Sequence, residues 1–184
     1  MQTEYRCYIG LGSNLEQPLF QIRRALSELA ASPGLHLARI SSAYQSRAHG
    51  PGEQPDYINA VAELHSSLPP FDLLDQLQAQ ELRQGRQRLQ RWAARTLDLD
   101  ILWIDNISID GDRLTIPHPR ICERNFVLFP LAELAPDLVL ANGQTVIECA
   151  AHIGSEGLIQ LADIALEPDN TKSQAGAVSS GVPH

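Results

Sequence analysis

Apolar positions along the chain change rhythm several times, and each change predicts an element. Tyr5 to Leu11 (YRCYIGL) is a short aromatic and β-branched run closed by Gly12, which predicts a first strand. Asn14 and Pro18 offer helix-start chemistry, and Leu19, Ile22, Leu26 and Leu29 follow at spacings of three and four. That amphipathic helix stops near Ser32-Pro33-Gly34. Ala38, Ile40, Ser42 and Tyr44 alternate, as do Ile58, Ala60, Ala62 and Leu64, which predicts a second and a third strand. Between them, HGPGEQP (49 to 55) is turn-rich. Pro69-Pro70 can open a helix but not continue one, and Phe71, Leu74 and Leu77 follow. Gln78 and Glu81 lie beyond Leu74 on the same stripe. Residues 96 to 104 (TLDLDILWI) read as a fourth strand, and Asp110-Gly111 marks a hairpin within 107 to 116. Phe126 to Leu134 predicts a short buried helix. The order β-α-β-β-α-β predicts an α/β fold with a ferredoxin-like core, a mixed or antiparallel sheet covered by helices.

Composition narrows the class. Hydrophobic residues make up 43% and charged residues 20%, the mix of a soluble globular protein. No apolar run approaches the ~20 residues of a membrane helix. The N-terminal stretch has Glu4 ahead of its apolar run and no basic leader, so it does not read as a signal peptide. Cys7, Cys122 and Cys149 show no C-x-x-C pattern, which argues against a disulfide framework or thiolate zinc site and for a reducing cytoplasm. The small polar stretch after Glu167 predicts a disordered tail, 167–184, behind a domain of residues 1–166. The formal net charge of -8 argues against a nucleic-acid partner. Yet Arg83, Arg86, Arg88, Arg91 and Arg95 crowd one stretch, either a solvated face or a site for a small anionic ligand.

Four features carry candidate chemistry. Asp98 and Asp100 alternate with Leu97, Leu99 and Ile101, so both carboxylates face one way, with Cα atoms roughly 6.5 Å apart. They are either two solvated aspartates or a hard-oxygen site for magnesium, a reading that neighbouring Arg88, Arg95 and Arg113 strengthen. Tyr57 and Asn59 share the strand face opposite Ile58 and Ala60. They suit either an ordinary surface or a flat heterocycle, stacked on the ring and paired with the amide. Trp92 either adds a contact from a loop or anchors that loop to the core. His118 stands rigidly between Pro117 and Pro119, as a phosphate contact or as a plain loop histidine. Nothing resembles a nucleophile with its base, and Gly10-Leu11-Gly12 is neither a Walker loop nor a full dinucleotide fingerprint.

Taken together, YIGLGSN (8 to 14), GPGEQPDYINAV (50 to 61), ELRQGRQR (81 to 88), RWAARTLDLDIL (91 to 102), LTIPHPR (114 to 120) and ERNFVLFPL (123 to 131) resemble the hydroxymethyldihydropterin pyrophosphokinases of folate synthesis. The resemblance runs from Tyr8 to about Pro136. It implies that ATP gives its pyrophosphoryl group to the pterin hydroxymethyl arm, releasing AMP. It implies two magnesium ions on Asp98 and Asp100, with Arg86 and Arg95 beside the reacting phosphates. It places the pterin between Tyr57 and Phe126, with Asn59 at its polar edge, Ser46 to Ala48 completing the pocket and Trp92 closing on it. Gln78, Glu81, Arg88, Trp92, Arg95, Ile101, Arg113, Thr115, His118 and Arg124 match ATP-binding positions. Loops around 46 to 54 and 84 to 93 are implied to close over the substrates. ATP and the pterin are then the partners of a cytoplasmic monomer with no nucleic-acid or membrane partner. The alternatives are a nucleotidyl transferase attacking the α-phosphorus and a non-catalytic ferredoxin-like pterin- or nucleotide-binding module.

Overall fold

The computed structural model describes residues 4–48, 53–86 and 94–166. The predicted tail, Arg88, Arg91 and Trp92 lie outside the described residues, as does His49. β1 (Tyr5–Ser13) leads to α1 (Pro18–Ala31), then β2 (Leu35–Ile40), β3 (Ser42–Ser46) and β4 (Tyr57–Ser66). α2 (Pro70–Arg83) and β5 (Asp98–Ile104) complete the predicted βαββαβ series, because β2 and β3 line the same edge of β4, one after the other. The strands run in the order β5-β1-β4-β3, and every pairing between them is antiparallel.

Beyond β5 the chain adds a hairpin of β6 (Ile109–Asp110) and β7 (Thr115–Ile116), then α3 (Asn125–Leu134), α4 (Val146–Ile153) and β8 (Leu158–Asp163). β8 extends the sheet beyond β3. Neither α4 nor β8 was among the sequence expectations. α4 begins with a capping box in which Thr145 and Glu148 satisfy each other's backbone N–H groups.

Two local expectations need correction. The first strand does not stop before Gly12 but runs through it to Ser13. Pro18 does open α1, but Asn14 does not cap it; Gln17, with φ 61°, precedes the helix. Asn14 leads instead into a tight left-handed corner, since Glu16 also has φ 50°.

The sheet carries a core on both faces. On one, Cys7, Ile9 and Leu11 of β1 pack with Ile22, Leu26 and Leu29 of α1 and Leu73 and Leu77 of α2. On the other, Tyr8, Val61 and Leu102 pack with Val127, Leu128 and Leu131 of α3 and Val146 of α4. A register shift lets Tyr8 oppose Trp103 while Ile9 opposes Ile101, leaving Leu102 as the extra residue of a bulge. Leu102 and Trp103 therefore both serve the second core, while Ile104 returns to the first. That second face is shared: apolar where α3 and α4 cover it, polar at the end that holds Asp98 and Asn59.

Candidate active site

Three neighbouring strands build the polar end of the second face. Gly12 of β1 opposes Asn59 of β4 on one side and Asp98 of β5 on the other, and Gly10 opposes Asp100. The central strand thus offers no side chain between an aromatic-amide pair and a carboxylate pair. A Cβ on Gly12 would lie 3.4 Å from Asn59 Oδ1 and 3.9 Å from both Tyr57 Cδ1 and Asp98 Cβ. Gly10 serves differently, because Leu102 leans over it and would lie 3.3 Å from an added Cβ. The gap at Gly12 is therefore a floor that a flat group can approach, with Tyr57 and Asn59 as one wall and Asp98 as the other.

On the β4 wall, Asn59 is 5% exposed, so it is not an ordinary surface residue. Its Nδ2 donates to the Ser46 hydroxyl at 2.9 Å, which fixes the amide and aims Oδ1 toward Gly12. Ser46 is itself buried and acts here through its side chain. Ala48 follows at the end of the described loop. Phe126 is half-buried at the start of α3, on the same side of the sheet, with the Arg124 guanidinium 5.8 Å above its ring.

The β5 wall is an ionic cluster. Arg86 Nη1 lies 2.7 Å from Asp98 Oδ1, and Arg95 Nη1 lies 2.6 Å from Asp98 Oδ2, so each carboxylate oxygen has its own guanidinium. Arg86 also pairs with Glu81, which is 2% exposed and accepts the Leu99 backbone N–H at 2.7 Å. Burial pushes the Glu81 carboxyl up to about 7, against the pull of that N–H and of Arg86. Among the described residues Asp100 pairs only with Arg124, at 3.9 Å, and leaves 41% of its side chain open. Its carboxyl is pushed up, first by desolvation and then by the Asp98 charge. The solvated-aspartate alternative therefore fails for Asp98, which is held on both sides.

The expected arginines are redistributed. Arg113 does not approach the aspartates; its Nη2 pairs with Asp75 of α2 at 2.5 Å, and its guanidinium lies 5.8 Å from the Phe71 ring centre. Gln78 sits one turn beyond Asp75 on α2, and Thr115 lies on β7 beside this edge. Ile101 is 4% exposed within the first core, so its side chain is not presented to a ligand. Arg86, Arg95 and Arg124 are the ones that reach the carboxylates.

His118 is pinned by its main chain to β5, its N–H donating to Leu102 O at 2.9 Å. The Arg120 N–H donates to His118 Nδ1 at 3.1 Å, which leaves the ring proton on Nε2. Burial, with Arg124 and Arg120 nearby, pushes the imidazole down to about 4, so at neutral pH it is an uncharged donor.

One site residue was missed for its role. Asn14 is 1% exposed and ties two approaches together. Its Nδ2 donates to Pro55 O at 3.1 Å, ahead of Tyr57. Its Oδ1 accepts the Arg95 N–H at 2.8 Å, and its own N–H donates to Arg95 O at 3.1 Å, ahead of Asp98. Asparagine just after a strand suggests a helix cap equally well, and only the fold distinguishes the two.

Among known proteins, a family model described as 7,8-dihydro-6-hydroxymethylpterin-pyrophosphokinase (HPPK) matches residues 8–136. The 2-amino-4-hydroxy-6-hydroxymethyldihydropteridine pyrophosphokinase of Haemophilus influenzae is 48% identical over 154 residues, covering 84% of this chain and 96% of that protein. The enzyme of the same name from Pseudomonas aeruginosa is 47% identical over 156 residues, 85% of this chain and 96% of that one. Among solved structures, an HPPK-DHPS in complex with substrates superposes with a TM-score of 0.61 at 11% identity, over 80% of this chain and 45% of that one. Plasmodium falciparum HPPK-DHPS gives a TM-score of 0.61 at 12% identity, over 82% and 44%. The chain thus spans less than half of those longer proteins, and they bear on the fold alone.

The histidine supplies a test. A folded-state pKa of about 4, below an ordinary 6.5, means that the unfolded chain takes the proton first. His118 therefore contributes stability that is complete above pH 6.5 and is lost as pH falls toward 4. The urea midpoint of the wild type should drop between pH 7 and 5 more steeply than that of His118→Gln. Parallel slopes for the two proteins would contradict the neutral imidazole.

Proposed function

The chain belongs to the 7,8-dihydro-6-hydroxymethylpterin-pyrophosphokinase family, and we propose that its reaction takes place over Gly12, between the β4 and β5 walls. The reaction transfers pyrophosphate from ATP to 6-hydroxymethyl-7,8-dihydropterin in folate biosynthesis. The observation that carries the placement is the side-chain-free floor at Gly12, bounded by Asn59 Oδ1, Tyr57 and Asp98. The pterin stacks between Tyr57 and Phe126, and Asn59, held by Ser46, reads its donor-acceptor edge. Ala48 and Trp92 complete this pocket.

ATP takes the other wall. Gln78, Arg113, Thr115 and main-chain groups of Ile101 receive the nucleoside end; β5 is an edge strand, so its outer main-chain groups are not used by β1. The phosphates fall to Arg86, Arg88, Arg95, Arg124 and His118, with Glu81 holding Arg86 in place. The oxygen-only pair Asp98 and Asp100 fits magnesium, since the Asp100 carboxyl is pushed up by desolvation and by the Asp98 charge, and a divalent cation relieves that repulsion. Among the described residues no group of three or more His, Cys, Asp or Glu converges, so phosphates and water would complete the coordination. Two magnesium ions held there supply neutralisation of the triphosphate charge and polarisation of its oxygens.

The chain's own part is positioning and charge. The pterin hydroxyl oxygen attacks the β-phosphorus, the bond from that phosphorus to the α,β-bridging oxygen breaks to release AMP, and the hydroxyl proton passes to water. Charge builds on the leaving AMP oxygen and the transferred group, where Arg86 and Arg95 can move from Asp98 onto phosphate. His118 donates from Nε2 without adding a charge. We place the enzyme in the cytoplasm as a monomer with no nucleic-acid partner, in keeping with its net charge of -8. No helix among the described residues is long and apolar enough to cross a membrane.

Product analysis tests the reaction. ATP and the hydroxymethylpterin should yield AMP and a pterin diphosphate in equal amounts, whereas stoichiometric ADP or free pyrophosphate would reject it. Asp98→Ala and Asp100→Ala should each abolish turnover while circular dichroism stays native; retained turnover in either removes the metal assignment. Gly12→Val should fold, because its φ is not left-handed, yet weaken pterin binding tenfold or more by filling the floor, roughly the effect of a misplaced contact of 1–2 kcal/mol. Unchanged pterin affinity would move the pocket elsewhere.

A further inference from the structure

Between α1 and α2 runs a ladder of buried glutamines that the reaction does not use. Gln21, Gln80 and Gln84 are 6%, 1% and 4% exposed. Gln84 Nε2 donates to Gln21 O at 3.1 Å and to Gln21 Oε1 at 3.0 Å. Gln21 Nε2 donates in turn to Glu16 O at 3.1 Å, inside the left-handed corner beyond β1. Gln80 Nε2 donates to Ala25 O at 2.9 Å and reaches Gln84 Oε1 at 3.4 Å. Helix packing alone calls for apolar residues here, as Leu77 and Leu73 show one and two turns before Gln80. Buried amides are costly unless paired, and these are paired with one another and with main chain.

Gln84 ends α2, and the turn it begins launches Arg86. Gly85, with φ 85°, donates its N–H to Leu82 O at 3.0 Å, and the Arg86 N–H reaches back to Glu81 O at 3.0 Å. That is a Schellman closure, and it needs the left-handed glycine. Arg86 then folds back onto Glu81 and Asp98. The height and rotation of the last α2 turn therefore decide where the Arg86 guanidinium meets the β5 wall. Glu81 is tied to the same turn and also holds the Leu99 N–H.

We propose that Gln84, through its paired hydrogen bonds to Gln21, is a positioning residue that sets Arg86 and Glu81 against Asp98. It touches neither substrate. The proposal rests on the assignment of Arg86 to the phosphates and goes beyond it by naming what aims that side chain. Without the bonds, the end of α2 can shift along α1 and Arg86 loses its register, while Tyr57 and Asn59 on β4 are untouched. The expected signature is a fall in kcat with the pterin KM retained.

The test is a double-mutant cycle on the full chain. Gln84→Met keeps length and removes the amide; its kcat should fall on the order of tenfold, as misplacement of a reacting group by a fraction of an ångström predicts. Gln21→Met, which removes the same bonds from the α1 side, should reproduce the loss and serves if Gln84→Met does not fold. Ser41→Ala, which removes a buried hydroxyl that accepts the Val61 N–H between β2 and β3, should lower the urea midpoint but leave kcat unchanged. If Gln84 acts through Arg86, then Gln84→Met in an Arg86→Met background costs nothing further in kcat. Losses that multiply would overturn the proposal, as would a rise in the pterin KM at full kcat. An Arg86→Met enzyme with undiminished kcat would instead remove the phosphate assignment of Arg86, and the Gln84 proposal with it.

Discussion

The constraint on which the site depends is electrostatic: Glu81, Asp98 and Asp100 are brought to one end of one sheet, and their charges must be balanced where water is scarce. Two carboxylates two residues apart on a strand share a face, and like charges so placed oppose folding. Arg86 and Arg95 answer this for Asp98, one on each oxygen. For Asp100 the answer is incomplete, since Arg124 stays at 3.9 Å. The protein thus folds with guanidinium groups balancing one aspartate and with a deficit of positive charge at the other. On the proposed assignment, a nucleotide arriving with divalent cations would bring anions for the arginines and cations for the carboxylates. The groups that balance charge in the fold are then the same ones that we propose recognise the ligand.

Geometry makes this balance usable. β1 is the central strand of the three, and its two glycines lie on the face where an alternating strand would otherwise place side chains. One is spent on packing, where Leu102 leans over Gly10, and the other on an opening. The bulge at Leu102 separates the two uses: below it the face belongs to the α3–α4 core, above it to polar chemistry. Asn14 fastens the strand segments entering β4 and β5 to the end of β1, so the two walls are set relative to a common point. None of these roles requires a residue to touch ligand, and each limits how far the residues that do can stray.

Much of this was legible in the sequence, for identifiable reasons. The βαββαβ series could be read because each element has its own period and its own punctuation: Ser32-Pro33-Gly34 after α1, Pro69-Pro70 before α2. Asp98 and Asp100 could be read as one face because alternation is strict in strands. The C-terminal third was less legible. The capping box at Thr145 and Glu148 was a readable signal for α4, but the helix is only eight residues long. β8 has no alternating apolar face, since it is an edge strand and mostly exposed, so only its pairing with β3 makes it a strand. Arg113 illustrates the limit for charges. Sequence proximity grouped it with the aspartates, whereas the hairpin carries it to Asp75 on α2. Ile101 belonged to the ATP-binding positions by resemblance, but alternation next to Asp100 already turns its side chain into the core.

The glutamine ladder was only half legible, and the reason bears on how such a site is specified. Gln80 and Gln84 continue the Leu73–Leu77 stripe at spacings of three and four, so the pattern turns them toward α1, but a glutamine there reads as a polar interruption of the stripe, and nothing in the sequence says which amide pairs with which. A leucine pair at the same contact would bury as much apolar surface and would tolerate sliding, because dispersion contacts are non-directional. Amides tolerate it less, since a shift that breaks one bond strands a donor or acceptor without water. Directionality is therefore what the ladder adds: α2 is held on the sheet by Leu73 and Leu77, but the register of its last turn is held by Gln84. If Arg86 serves the phosphates as proposed, the ionic cluster needs that register more than it needs further stability, because a guanidinium displaced by part of an ångström would still pair with Asp98 but would no longer meet a phosphate at the correct angle.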